Sequence, residues 1–250
     1  MTYGRTDGYC AIRQFTLALV GIAIDEGFIG GVNDPITDCL PELTERNPRF
    51  TEITIRDLLM MSSGLEYRAI RWFVFNDDDP LTTYHPDQLQ IALDNTRIVD
   101  PPGMEFDGSW SLDSKRSGFE KMESGVNARA VDVAKFGQLY LNDRVWNGVQ
   151  VISKNWITES TQVDSERNNE EYYPDDFGRS IYSSGQGYYK YMWYGFFRED
   201  GSNDLAARAD RGQIIYISPR KNLVIVRNGV EYGIPFGEWM ALFYDFASEF

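Results

Sequence analysis

The sequence predicts an α+β fold, and three observations carry that reading. The segment Phe15 to Ile24 holds a single polar side chain, Thr16, so it reads as a helix buried on every side. Aromatic and β-branched runs separated by polar turns cluster in the last third of the chain. Helix-like and strand-like segments are segregated along the chain instead of alternating, which argues against a parallel βαβ sheet. A single domain over 1–250 follows, mostly helical from 10 to 187, with antiparallel strands and a closing helix from 188 to 250.

In order, the first helix runs from Cys10 to Asp25-Glu26, with Gly27 placed to close it in a left-handed cap. After the turn Gly30 to Pro35, Thr54 is an N-cap for a helix from Ile55 to Ser62, stopped by Gly64. The aromatic and acidic stretch Glu66 to Thr83 reads as a surface loop or lid, and His85 to Leu93 as a short helix. Residues 100 to 127 are rich in turn formers. Ala128 to Leu141 carries Val131, Ala134, Phe136, Leu139 and Tyr140 at helical spacing. Ser153 caps a helix from Trp156 to Thr161, and the polar residues 164 to 187 form a long exposed loop. Tyr188 to Phe197, Gly212 to Ser218 and Asn222 to Arg227 read as strands, the last two joined in a hairpin by Pro219 to Asn222. Gly237 to Phe250 returns to helical spacing and should pack on that sheet.

Composition narrows the function. Lys plus Arg number 24 against 38 for Asp plus Glu, a net charge of −14 that opposes binding to nucleic acid or an anionic membrane. The first apolar run is too short to span a bilayer, which takes about 20 such residues. The stretch Met1 to Gly8 lacks the basic start and following apolar region of a signal peptide, so a cytoplasmic protein is expected over a secreted one. Two cysteines, Cys10 and Cys39, do not make a disulfide scaffold. With His85 as the single histidine and no paired Cys or His at ligand spacing, neither zinc nor another cofactor is expected. A Ser–His–Asp triad would have to use His85, and no Gly-x-Ser-x-Gly elbow accompanies it.

Five blocks carry a family resemblance. They are Phe15 to Gly27; Asp34-Pro35 with Leu40 to Leu43; Ile53 to Gly64; Gly125 to Leu141; and Gly212 to Ile217. In this order they resemble the serine β-lactamase-like hydrolases, a group including class C β-lactamases, penicillin-binding-protein-related esterases and 6-aminohexanoate-dimer hydrolases. The resemblance implies a β-lactamase/transpeptidase-like fold, an antiparallel sheet flanked by helices plus a helical region. It also implies hydrolysis of a small amide or ester through an acyl-enzyme. Relatives carry strands before the nucleophile that complete the sheet. The sheet is therefore expected to be incomplete at the N-terminus, with an exposed edge through which a homodimer can form.

The resemblance also places the motifs. The family nucleophile lies in Ser-x-x-Lys at the start of the first helix, and alignment through Phe15-Thr16 sets Cys10 on the Ser and Arg13 on the Lys. A guanidinium, with a pKa above about 12, cannot accept a proton at neutral pH. A cysteine partly dispenses with that base, because a neighbouring cation and a helix N-terminus both favour thiolate. The family Tyr-x-Asn is missing between Gly64 and Gly125, where Pro101 to Glu105 runs one family turn into the next. The Lys-Thr-Gly or His-x-Gly motif falls on Asp210-Arg211-Gly212, followed by Gln213, whose backbone N–H would share an oxyanion hole with that of Cys10. Trp72, Phe73 and Trp110 are candidate pocket walls, core packing being the plainer role for each. Ser218 to Lys221 matches Ser-x-x-Lys in spacing alone, since it sits in a hairpin turn. Departures in all three motifs make a catalytically silent homologue the alternative to an enzyme.

Overall fold

The computed structural model describes residues 13–64, 109–110, 126–141, 145–146, 148–163, 181 and 184–250. The first helix, α1, spans Arg13–Asp25. Gly27 closes it at φ 79°, with Phe28 N–H donating to Ala23 O at 2.8 Å and Gly27 N–H to Ile24 O at 3.0 Å. That pair of bonds satisfies two carbonyls at the helix end, as the glycine led one to expect. Leu17, Ala18, Gly21 and Ala23 are buried. The absent side chain at Gly21 admits the indole of Trp156, which a Cβ there would meet at 2.1 Å. The same indole donates from Nε1 to Leu17 O at 3.0 Å, so Trp156 fixes both the depth and the rotation of α1.

Short helices follow: α2 (Ile36–Cys39), α3 (Glu42–Arg46) and α4 (Ile55–Leu59). Thr54 caps α4 in a reciprocal box with Asp57, each side chain bonding the other residue's backbone N–H. The helix ends at Leu59, earlier than the expected Ser62. Met61 takes the left-handed cap at φ 57°, with Ser62 N–H reaching Asp57 O and Met61 N–H reaching Leu58 O. A methionine in that conformation leaves no signal in the sequence, whereas Gly64, a few residues on, does.

Further along lie β1 (Ser109–Trp110) paired with β2 (Val126–Asn127), α5 (Ala130–Leu139), β3 (Val145–Trp146) paired with β4 (Val149–Gln150), and α6 (Lys154–Thr161). Ser153 caps α6 through Trp156 N–H at 3.1 Å, so the helix begins at Lys154, ahead of the expected Trp156. The loop expected at 66–83, the helix at 85–93 and most of the loop at 164–187 lie outside the described residues.

The main sheet is five-stranded and antiparallel, in the order β5 (Gly187–Lys190), β6 (Trp193–Phe197), β7 (Asn203–Ala209), β8 (Gln213–Ser218), β9 (Leu223–Arg227). The β8–β9 hairpin through Pro219 to Asn222 is as expected, and it holds the Ser218 to Lys221 spacing match in a turn. Two readings need correction. The single strand expected over Tyr188 to Phe197 is a hairpin turning at Tyr191-Met192, both at positive φ (43° and 68°), with Lys190 paired to Trp193. Side chains other than Gly and Asn pay about 1–2 kcal/mol per residue for that region. Burial of Tyr191 offsets the cost: its ring stacks on Trp156 and its hydroxyl donates to Glu159 Oε1 at 2.7 Å. Asn203–Ala209 is a strand that the sequence reading left out.

Consecutive residues of the central strands face opposite layers. Leu205, Ala207, Ile215 and Ile217 join α1, α4, α5 and α6 in one core. Ala206, Ile214 and Tyr216 pack with the closing helix α7 (Phe236–Ser248) through Met240, Phe243 and Ala247. Helices on both faces explain why β8 reads as a continuous apolar run without alternation. Among the described residues no helix is long and apolar enough to cross a membrane.

Candidate active site

Register places two hairpin turns at one end of the sheet. The β5–β6 turn at 190–193 and the β7–β8 turn at 209–213 both lie beyond the pairs Tyr194–Ala206 and Arg208–Ile214. The N-terminus of α1 comes to this end as well, because Gln14 Nε2 donates to Met192 O at 2.8 Å. Gln14 is 1 % exposed, and its Oε1 has no partner among the described groups. A buried amide at the head of an apolar helix is an anchor, and its partner, 178 residues away, leaves no signal in the local sequence. Arg13 itself stands exposed on the first turn of α1.

The β7–β8 turn, Asp210–Gly212, is tight and held from outside. Arg211 and Gly212 lie at φ 56° and 75°. Gly212 is required twice over, since a Cβ there would also meet Arg227 Nη1 at 2.3 Å. Arg227 donates to Gly212 O and, through Nη2, to Glu231 O at 2.9 Å, while its guanidinium lies 4.5 Å from the Trp239 ring centre. Gln213 is buried, with its side-chain amide engaged at both ends: Nε2 donates to Gly229 O, and Oε1 accepts from Gly229 N–H at 3.1 Å. The Gln213 side chain is thus a structural clamp, which leaves its backbone as the part that can serve a substrate.

The β1–β2 pair joins the same end. Trp110 is opposite Val126, and the following Ala128 accepts from Asn228 Nδ2 at 3.2 Å, one residue beyond the β8–β9 ladder. Arg227, Asn228 and Gly229 therefore organise this end of the sheet, and none of the three carries a motif in the sequence. Of the expected site residues, the structure gathers Arg13, the backbone of Asp210, Gly212, Gln213 and the backbone of Trp110. The side chains of Asp210 and Trp110, and Cys10, Trp72, Phe73 and His85 entirely, lie outside the described residues.

The nearby phenol is unsuited to proton transfer. Tyr140 connects to α1 through Phe136 and Phe15, whose rings stack at 4.0 Å, and its own ring meets Trp193 edge-on at 4.9 Å. Burial pushes its phenol far above the usual range, the Trp193 indole opposing this only in part. Among the described residues no group of His, Cys, Asp or Glu is arranged to hold a metal ion.

An antiparallel sheet with an apolar central helix on one face, a closing helix on the other and a tight turn at the same end of the sheet as the central helix's head is a β-lactamase-type fold. Comparison with known proteins agrees. Residues 10–107 match the Beta-lactamase family, the match beginning at Cys10. The chain is 24% identical over 253 residues to the 6-aminohexanoate-dimer hydrolase of Paenarthrobacter ureafaciens, covering 84% of this chain and 62% of that protein. It therefore spans less than two thirds of the length of the curated relative it matches. Among solved structures, the "Putative 6-aminohexanoate-dimer hydrolase from Bacillus anthracis" superposes with a TM-score of 0.70 at 18% identity, over 100% of this chain and 74% of that one. The "putative beta-lactamase from Bacteroides dorei DSM 17855" gives a TM-score of 0.59 at 12% identity, over 91% of this chain and 80% of that one. The chain is thus similar to the Beta-lactamase family over residues 10–107, and it shares its fold with the two solved structures.

Proposed function

We propose that the chain hydrolyses a small ester or amide through an acyl-enzyme on Cys10, with Arg13 as an electrostatic partner in place of the family base. The observation that carries this is the family match beginning at Cys10, shortly before an α1 that is buried at Gln14, Leu17, Ala18, Gly21 and Ala23. Arg13, on the first turn, supplies a fixed positive charge that lowers a thiol pKa starting near about 8.5. The Cys10 thiolate attacks the acyl carbon, a C–S bond forms, and the carbonyl electron pair moves to oxygen. The backbone N–H groups of Cys10 and Gln213 would receive that oxyanion. Collapse expels the alcohol or amine, which takes a proton from water. A water molecule then adds to the thioester and gives one proton to the hydroxide left by the previous step, so that the C–S bond breaks to return the thiolate and a carboxylic acid.

A second reading, a catalytically silent homologue, is favoured by one specific observation. Arg13 is exposed on the first turn of α1, and if it takes the position of the family Lys, as the resemblance implies, a guanidinium there cannot accept a proton. The two readings part in one assay. Purified protein and Cys10→Ala would be offered a p-nitrophenyl ester, a chromogenic cephalosporin and the 6-aminohexanoate dimer. Turnover that disappears in Cys10→Ala supports the thiol enzyme. Absence of turnover in the unaltered chain, or turnover unchanged by Cys10→Ala, removes it.

A further inference from the structure

The two edges of the main sheet differ. At one, Gly187–Lys190 of β5 are buried at every position. At the other, Leu223–Arg227 of β9 are half-buried at every position and pair with β8 alone among the described residues. Edge strands are ordinarily blunted by a lysine, a proline, a bulge or a covering segment. β9 reads Leu-Val-Ile-Val-Arg, and its five pairs with β8 keep an unbroken register. Its one charge is turned back: the Arg227 guanidinium donates to Gly212 O and Glu231 O and lies against the Trp239 ring. The helix above continues the open surface. Trp239, near the start of α7, sits over Arg227, whereas Tyr244 sits over Arg198, just beyond β6. α7 therefore turns the flank of Trp239 toward β9. Leu242 and Phe246 share that flank by helical spacing, and they are 52% and 44% exposed. Below them, Leu223 and Ile225 are the β9 side chains on the α7 face. An apolar strip thus runs beside an open strand edge.

The ends of β9 differ in charge. The turn before it carries Arg220 and Lys221 beside one carboxylate, Asp200, which meets Arg220 at 3.7 Å. Glu231, exposed, follows the other end. A strand that is apolar in its middle, positive ahead of its start and negative past its end is complementary to itself run antiparallel. We propose that β9 is a self-association surface, on which two copies of this chain pair β9 with β9 about a two-fold axis at Ile225, making one continuous antiparallel sheet. In that register Val224 of one copy is opposite Val226 of the other, and Lys221 comes beside Gly229, within a lysine's reach of Glu231. The two α7 helices lie on the same face, their Leu242 and Phe246 flanks turned to each other across the junction. The surface uses neither Cys10 nor Arg13, so it is independent of turnover.

The test is sedimentation velocity on a dilution series of the full chain, with hydrogen exchange to locate the contact. The chain should be dimeric at about 0.1 mM and dissociate on dilution. Amides of 223–227 should exchange more slowly in the dimer than in the monomer. Leu242→Lys should weaken association at least about tenfold. Lys221→Glu and Glu231→Lys should each weaken it about threefold to tenfold, and the two together should regain most of that loss. These positions lie at opposite ends of β9 within one chain, so such a rescue comes from contact between copies. An unchanged far-UV circular dichroism spectrum checks that the variants, all at exposed or half-buried positions, still fold. A monomer at about 0.1 mM would overturn the proposal. So would a dimer whose β9 amides exchange as in the monomer, a Leu242→Lys variant that associates as well as the original, or a doubly reversed pair no tighter than its single variants.

Discussion

Arg198 is the residue whose loss should cost the fold most, and the structure sets the size. Its Nε donates to Asp204 Oδ2 at 2.6 Å and Nη2 pairs with the same oxygen, while Tyr216 OH donates to that oxygen at 2.6 Å. Nη1 reaches Tyr244 O at 2.9 Å and Ser248 Oγ at 2.7 Å, and the guanidinium lies 3.6 Å from the Tyr244 ring centre. One side chain thus joins β6, β7 and β8 to the last turn of α7. Asp204 is fully buried, and its Oδ1 has no partner among the described groups. Arg198→Met would leave that carboxylate with Tyr216 as its remaining donor. Stranding a buried charge costs about 3–5 kcal/mol, against total stabilities of about 5–15 kcal/mol for folded proteins. The double replacement Arg198→Met with Asp204→Leu removes both charges and should regain about 2 kcal/mol of that loss. Urea unfolding followed by both tryptophan fluorescence and far-UV circular dichroism would measure the three chains. An Arg198→Met variant within about 1 kcal/mol of the original, or a double variant no more stable than Arg198→Met, would refute the reasoning.

Three further outcomes are expected. Gly21→Ala forces the Trp156 indole off α1 and should destabilise by about 1–3 kcal/mol, read as a lowered Tm; an unchanged Tm would mean that Trp156 has room to move. Tyr140, Tyr188 and Tyr216 all have phenols raised by burial, Tyr188 to about 12. The native state therefore holds these protons more tightly than the unfolded chain. Their stabilisation should be complete below about pH 10 and decline as pH rises toward 12 and beyond, visible as a falling urea midpoint. The Cys39 thiol is pushed up by burial and by Asp38 and Asp34. In Cys10→Ala it should alkylate more slowly than free cysteine at pH 8, and an equal rate would contradict the burial.

Much of the fold was legible in residues that have one physical use. Gly27 needed the left-handed region, Thr54 and Ser153 offered oxygens to helix starts, and Pro219 to Asn222 could only turn. What escaped was conformation paid for by distant contacts. Met61 at the α4 cap, like Tyr191 and Met192 in a two-residue turn, carries no local turn signal, and Tyr191 tolerates its backbone because Trp156 and Glu159 receive its side chain. Strand β7 was missed because its small residues, Ala206 and Ala207, are chosen by crowding from both helical layers, which a single sequence does not display. At the candidate site, the motif positions are what the resemblance implies. The Gln213–Gly229 clamp and the Gln14 anchor, which pin those positions, depend on partners 16 and 178 residues away.

The seat of α1 has a consequence for how the chain is made. Its cover comes from Trp156 and from strands ending near residue 217, so the apolar helix leaves the ribosome long before its partners exist. At synthesis rates of about 5–20 residues per second, the delay for roughly 200 residues is on the order of ten to forty seconds. During that interval α1 offers a bare apolar surface to whatever is nearby. Yield in cells should therefore respond to chaperone supply and growth temperature more steeply than the equilibrium stability of the finished protein does.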